Sequence, residues 1–162
     1  MSPGPLASAV REALAEVTDP ELPVLTIEDL GVLRDVTVGE DGRVEVTITP
    51  TYSGCPAMDV IRHDVERVLA GHGWDGAVVR TVLSPAWTTD WMSDDGRRKL
   101  REFGIAPPGP VAPVGAVAVD LVRCPRCGSA ETRLVSRFGS TPCKALRACR
   151  RCLEPFDHFK PL

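Results

Sequence analysis

No apolar run in the 162-residue chain approaches the ~18 residues needed to cross a bilayer, so a membrane-spanning helix is not expected. The opening stretch, MSPGPLASAVREALAEV, lacks a basic segment followed by an uninterrupted apolar one and does not read as a secretory signal. A cytoplasmic protein is therefore expected. Histidine is scarce, with only three in the chain, which leaves few candidates for a general base. No Glu-x-x-His pair occurs, so the di-iron carboxylate pattern of helical bundles is excluded. Cysteine is nearly absent from the first 123 residues: Cys55 stands alone there, and the other five fall between 124 and 152.

The composition is that of a globular protein, 43% hydrophobic and 25% charged, so a packed core is expected rather than a disordered chain. The charge is uneven. Residues 1–119 carry 10 Lys and Arg against 18 Asp and Glu, while residues 120–162 carry 9 against 4. An acidic body with a basic tail argues against a general nucleic-acid binder, whose contact face would be basic throughout. Only the tail leaves that question open.

The spacing of Val10, Leu14 and Val17 predicts a first helix that stops at Thr18-Asp19-Pro20, because the residue before a proline resists the α conformation. Alternation on both sides of Gly-Glu-Asp-Gly predicts a hairpin of Val32–Val38 and Arg43–Thr49. After Cys55, the residues Ala57, Ile61, Val65 and Val68 fall on one helical face, flanked by Val60 and Leu69. AVVRTVLS is rich in β-branched residues and reads as a third strand; DDGRRKLREFGI reads as a short helix stopped by Gly104. The result is an α+β domain over 1–105, its helices packed on a sheet of three or slightly more strands. A Pro/Gly-rich linker, 106–118, and a third segment, 119–162, follow. That segment is too short to bury a stable core unaided.

Its stability has an evident source. Cys124-x-x-Cys127 and Cys149-x-x-Cys152 are two pairs, and two thiolates separated by two residues can take adjacent corners of a tetrahedron. Structural Zn²⁺ in a ribbon is the expectation, with an iron Cys₄ site and a redox-active dithiol as alternatives. Such binding is worth roughly 10–16 kcal/mol in small zinc peptides. Cys143 is a spare, either a substitute ligand or a small buried residue. His158, six residues past the last knuckle, is expected only to pack beside the ribbon. Arg147, Arg150 and Arg151 around the second knuckle form either a solvated basic face or a docking surface for an acidic partner or RNA.

Cys55 sits where a strand gives way to a helix. Pro56 suits the first helical position, which places Cys55 at or near the N-cap, where free backbone N–H groups favour an anion. A thiolate there can attack an electrophile or ligate a soft metal; alternatively Cys55 is a small hydrophobe closing the core. A nucleophilic enzyme would add a histidine base. His63 falls about 200° around the helix from Ile61 and His72 lies in the glycine turn beyond, so neither is placed beside Cys55. Metal handling fits one isolated thiolate better than catalysis, with a second protomer or partner completing the ligand set. A homodimer that pairs two Cys55 sites follows from ligand count.

The stretches DPELPVLTIEDLGVLRDV, TPTYSGCPAMDVI, VLSPAWTTDWMSDDGRRKLREFGIAPP, CPRCGS and FGSTPCKALRACRRCLEPFDHFK resemble the phenylacetate-degradation protein D family from about Leu14 to Lys160. That family is a subunit of the phenylacetyl-CoA 1,2-epoxidase system. The first part is similar to the wider SufT-like iron–sulfur assembly domain, with Asp19-Pro20-Glu21 and Thr49-Pro50…Cys55-Pro56 as the shared motifs. The resemblance implies an accessory protein rather than an enzyme, acting with the oxygenase and reductase subunits of that system. Its implied task is to assemble or repair an iron–sulfur or iron centre, with Zn²⁺ kept in the ribbon. Cys55 becomes the implied contact for transient iron or a cluster, and Asp19 and Glu21 are implied to line the same pocket, unless they serve only turn chemistry. Trp87 and Trp91 are expected as a plug between the sheet and the last helix rather than as a partner surface. A structural subunit without metal transfer is the alternative.

Overall fold

The computed structural model describes residues 4–116 and 121–162. The last two residues of the expected linker, 117–118, and the first two of the expected ribbon, 119–120, lie outside the described residues. The chain forms two compact units. The first runs to Trp87 and takes in Trp91–Ser93; the second contains Thr88–Asp90 and Asp94–Leu162.

In the first unit, α1 (Pro5–Leu14) starts on a proline that fits the first helical turn and buries Ala7, Val10, Ala13 and Leu14. It stops earlier than expected. Val17 is buried by the following turn, where its carbonyl accepts the Ile27 N–H at 3.1 Å, and a bridge pairs Thr18 with Thr26. Much of the core thus comes from a loop: Leu22, Leu25, Ile27 and Leu30 are all at most 3% exposed.

The predicted hairpin forms as β1 (Leu33–Val38) and β2 (Val44–Ile48), antiparallel, with Val44, Val46 and Ile48 facing inward. A bulge between Leu33 and Asp35 inserts Arg34 as an extra residue and turns it outward. The sheet continues through α2 (Ala57–Gly71) to β3 (Val78–Thr81), which runs parallel to β2, giving the order β1-β2-β3. The predicted face of α2 is buried, including Leu69, but Val60 is 48% exposed. The helix ends in a Schellman motif: the Trp74 N–H reaches the Leu69 carbonyl at 2.9 Å and the Gly73 N–H reaches Ala70 at 3.0 Å. Gly73 sits at φ +90°, which its lack of a Cβ permits.

The second unit differs from expectation. The sequence suggests that α3 (Asp94–Glu102) covers the first sheet, yet it packs in this unit beside β4 (Ile105–Ala106), burying Gly96 and Leu100. Strands β5 (Thr132–Ser136), β6 (Lys144–Cys149) and β7 (Pro155–Phe159) complete a four-stranded sheet in the order β4-β7-β6-β5. β4 pairs parallel with β7, and the others are antiparallel. Ala106, expected to open the linker, is a strand residue only 1% exposed, and Pro108 is buried too.

Candidate functional site

Two cysteine sites lie in the two units. The first is built from two knuckles. Cys124–Cys127 turns back through a Gly128 N–H to Cys124 carbonyl bond of 2.9 Å, with Gly128 at φ +75°. Cys149 ends β6, and its turn closes where the Cys149 N–H meets the Glu154 carbonyl at 3.0 Å, with Leu153 in the left-handed region.

The four sulfurs of Cys124, Cys127, Cys149 and Cys152 all lie within 4.8 Å of one another. Cys124 and Cys152 are 3.7 Å apart, Cys127 and Cys149 3.6 Å. Four ligands at ~2.3 Å from a tetrahedral zinc would be about 3.8 Å apart, so the set fits such an ion with little adjustment. The N–H groups of Arg151 and Cys152 point at the Cys149 Sγ, at 3.4 and 3.5 Å. The Cys152 N–H, chiefly, pulls the Cys149 thiol down to about 6. The Glu154 N–H favours the Cys152 thiolate too, but burial and the neighbouring sulfurs outweigh it and push that thiol up to about 12. Four adjacent thiols resist full ionisation without a cation among them.

Cys143 is outside this cluster. It precedes β6, the strand that ends in Cys149, and its buried Sγ lies 3.0 Å from Thr141 Oγ1. His158 is buried opposite Ala145 on β7. Of the three arginines expected on the basic face, Arg150 and Arg151 are exposed but Arg147 is buried.

The second site is the turn from β2 to α2. Thr49 anchors it from the sheet, its N–H bonded to the Val32 carbonyl at 2.9 Å and its Oγ1 to the Val82 carbonyl at 2.8 Å. Gly54 adopts φ +77°, and the Cys55 N–H then returns to the Tyr52 carbonyl at 3.2 Å. Pro56 is the N-cap, so the thiol sits one residue before it, near the N-cap as expected. Cys55 is partly exposed, and its thiol makes no hydrogen bond among the described residues. A small cavity of about 110 Å³ lies against this turn, walled by Thr49, Pro50, Tyr52, Leu83 and Trp87 among others.

Asp19, Glu21 and Cys55 do not line that cavity. Asp19 Oδ1 instead accepts the N–H groups of Glu21 and Leu22 at 2.8 and 2.9 Å, which is turn chemistry, and Glu21 is exposed. His63 is exposed, while His72 meets Glu16 at 2.9 Å and stacks on Trp74. Trp87 donates to the Leu30 carbonyl at 2.9 Å, and Trp91 packs its Cβ against Gly31 and its ring under the Arg34 guanidinium, 3.6 Å away. Trp87 and Trp91 thus both meet the loop before β1. A further anchor is not anticipated from the sequence. Buried Asp29 accepts the Thr26 N–H and the Ser93 hydroxyl, and its signal was the capping-box spacing Thr26-x-x-Asp29.

Residues 111–160 match the family described as PaaD zinc beta ribbon domain, and residues 7–82 match iron–sulfur cluster assembly protein. An Escherichia coli (strain K12) protein whose name describes a "Putative 1,2-phenylacetyl-CoA epoxidase" subunit is 49% identical over 147 residues, 91% of this chain and 88% of that one. The chain belongs to the phenylacetate-degradation protein D family. The first unit of this family member is also similar to an "Fe-S protein maturation auxiliary factor" of Porphyromonas gingivalis. There the identity is 41% over 88 residues, covering 54% of this chain and 83% of that protein. In three dimensions it resembles a "Domain of Unknown Function DUF59" from Bacillus anthracis with a TM-score of 0.55 at 32% identity, covering 59% of this chain and 91% of that one. A conserved hypothetical protein of Thermotoga maritima gives a TM-score of 0.51 at 31% identity, over 62% and 98% of the two chains.

Proposed function

We propose that this protein D family member is a non-catalytic accessory factor of a phenylacetyl-CoA epoxidase system that delivers or repairs iron or an iron–sulfur cluster. Cys55 is the cargo ligand. The observation that carries this reading is an accessible, unengaged thiol on the sheet-to-helix turn of a unit whose relatives are named Fe-S maturation factors. On binding, the thiol gives its proton to solvent and its sulfur to iron; on delivery, a recipient thiolate replaces it. One protein ligand leaves the remaining positions to a second protomer or to the recipient, which keeps the hold weak enough to release. Asp19 fixes its own loop by accepting the Glu21 and Leu22 N–H groups, and exposed Glu21 is the carboxylate of the two that would reach a cargo ion. Cys124, Cys127, Cys149 and Cys152 hold Zn²⁺, which keeps the ribbon folded so that its exposed arginines meet the epoxidase subunits.

The test is metal content and activity of the recipient epoxidase system matured with wild-type protein or with Cys55→Ala. The variant keeps its zinc and fold, while the recipient loses iron and activity; unchanged recipient iron and activity would refute cargo transfer. The name of the Escherichia coli relative, which describes a component of the enzyme, favours a second reading, permanent membership of the oxygenase assembly. Co-purification at fixed stoichiometry, indifferent to Cys55→Ala, would support that instead.

A further inference from the structure

The second unit contains a cavity of about 370 Å³ beside its first knuckle, within the size range of small-ligand sites. It is separate from the turn that carries Cys55, whose residues are all absent from its wall. Ala106, Pro107, Pro108, Val122 and Pro125 supply apolar surface, and buried His158 closes one side. Two cations stand on the wall, Arg101 from α3 and Arg123 just before Cys124. No Asp or Glu is among the described residues that line the cavity.

Among the described residues no carboxylate pairs with either cation, although Cys124 of the sulfur set also lines the wall. Arg11, Arg67, Arg80 and Arg98 each meet a carboxylate within hydrogen-bonding distance. Arg101 makes no ion pair or side-chain hydrogen bond among the described residues. Among the same residues the Arg123 side chain makes one bond, from Nη1 to the Gly128 carbonyl at 3.2 Å, which steadies the guanidinium without neutralising it. A guanidinium presents several N–H donors in a planar fork, the geometry that a carboxylate accepts in pairs. An apolar body with one carboxylate would place its hydrocarbon against the prolines, Ala106 and Val122 and its charge at the arginines.

We propose that this cavity binds a carboxylate carried on an apolar body, either a small monocarboxylic acid or the free C-terminal residue of a polypeptide. Neither source depends on iron handling at Cys55, so the two readings stand or fall separately.

Two probes separate the sources: hexanoate, and an N-acetylated tetrapeptide ending in leucine with a free carboxylate. Hexanamide and the C-terminally amidated peptide are the controls. Binding to the full, zinc-loaded protein is followed by NMR shifts of Ala106, Val122, Gly128 and His158. Saturable shifts with one or both carboxylates support the site, and the better binder identifies the source. Arg101→Ala, an exposed change on α3 outside both knuckles, weakens binding about fivefold, as expected for loss of a solvent-facing charge partner. Arg123→Ala does the same, with zinc content as the check that the knuckle is intact. Amides binding as well as the carboxylates, equal affinity in Arg101→Ala, or no shift at these residues in the millimolar range would each overturn the proposal.

Discussion

The two units meet the need for a core in opposite ways. The first buries side chains from two helices, a sheet and a long loop, and its lone cysteine stays at the periphery. One buried cluster of the second contains Ala106, Val122, Cys124, Cys149 and Phe156, with Cys152 packed against it, so half of these six positions are thiols of the four-cysteine set; Leu100 and Phe159 are buried elsewhere in that unit. In one unit sulfur is spare; in the other it is both packing and ligand. A chain can thus hold an accessible thiol and a clustered thiol set without confusing them, provided that one lies on a finished scaffold and the other is part of the scaffold.

The strongest way to break this contrast is to remove the metal. Chelation, or Cys149→Ser, is expected to unfold β5, β6 and β7, because structural zinc supplies roughly 10–16 kcal/mol in small peptides and three of the four cysteines sit in one buried cluster of the unit. Amide exchange checks this: protection should vanish in the second unit and persist in β1–β3. Lowering the pH should imitate chelation. The Cys152 thiol is pushed up to about 12 in the metal-free protein, so its proton competes with the ion, and retention of zinc falls as acidity rises. Loss of protection throughout both units on chelation would show that they are not independent.

The reverse experiment is a cavity in the first unit. Ile61, 1% exposed on α2, replaced by Ala should cost about 2–5 kcal/mol in urea unfolding while leaving zinc per chain unchanged. The smallest expected effect is Arg34→Ala, which removes the cation over Trp91 and should cost about 0.5–1 kcal/mol, read as a modest loss of stability in the first unit alone.

Regular alternation made much of this legible. The hairpin around Gly39–Gly42, the buried face of α2 and the paired cysteines could be read because each repeats a local geometry within a few residues. The loop that fills the first core could not, since Leu22, Leu25, Ile27 and Leu30 share no helical or strand period and are buried by tertiary contacts. β4 was invisible for a related reason: two residues carry no period, and they were hidden among prolines that suggested a linker. The amphipathic face of α3 announced a helix but not which sheet it would serve. At the candidate site, the position of Cys55 on the turn was readable from Pro56. The use of Asp19 as a turn anchor was not, because an Asp-Pro-Glu turn satisfies its own backbone first.

Sulfur standing where carbon would normally pack has a further consequence under oxidant stress. Converting Cys149 to a sulfinic acid removes a zinc donor and drives a bulky charged group into the hydrocarbon around Phe156 in the same event. The ribbon therefore has no gently damaged form: it fails like a fuse, while the first unit keeps its shape.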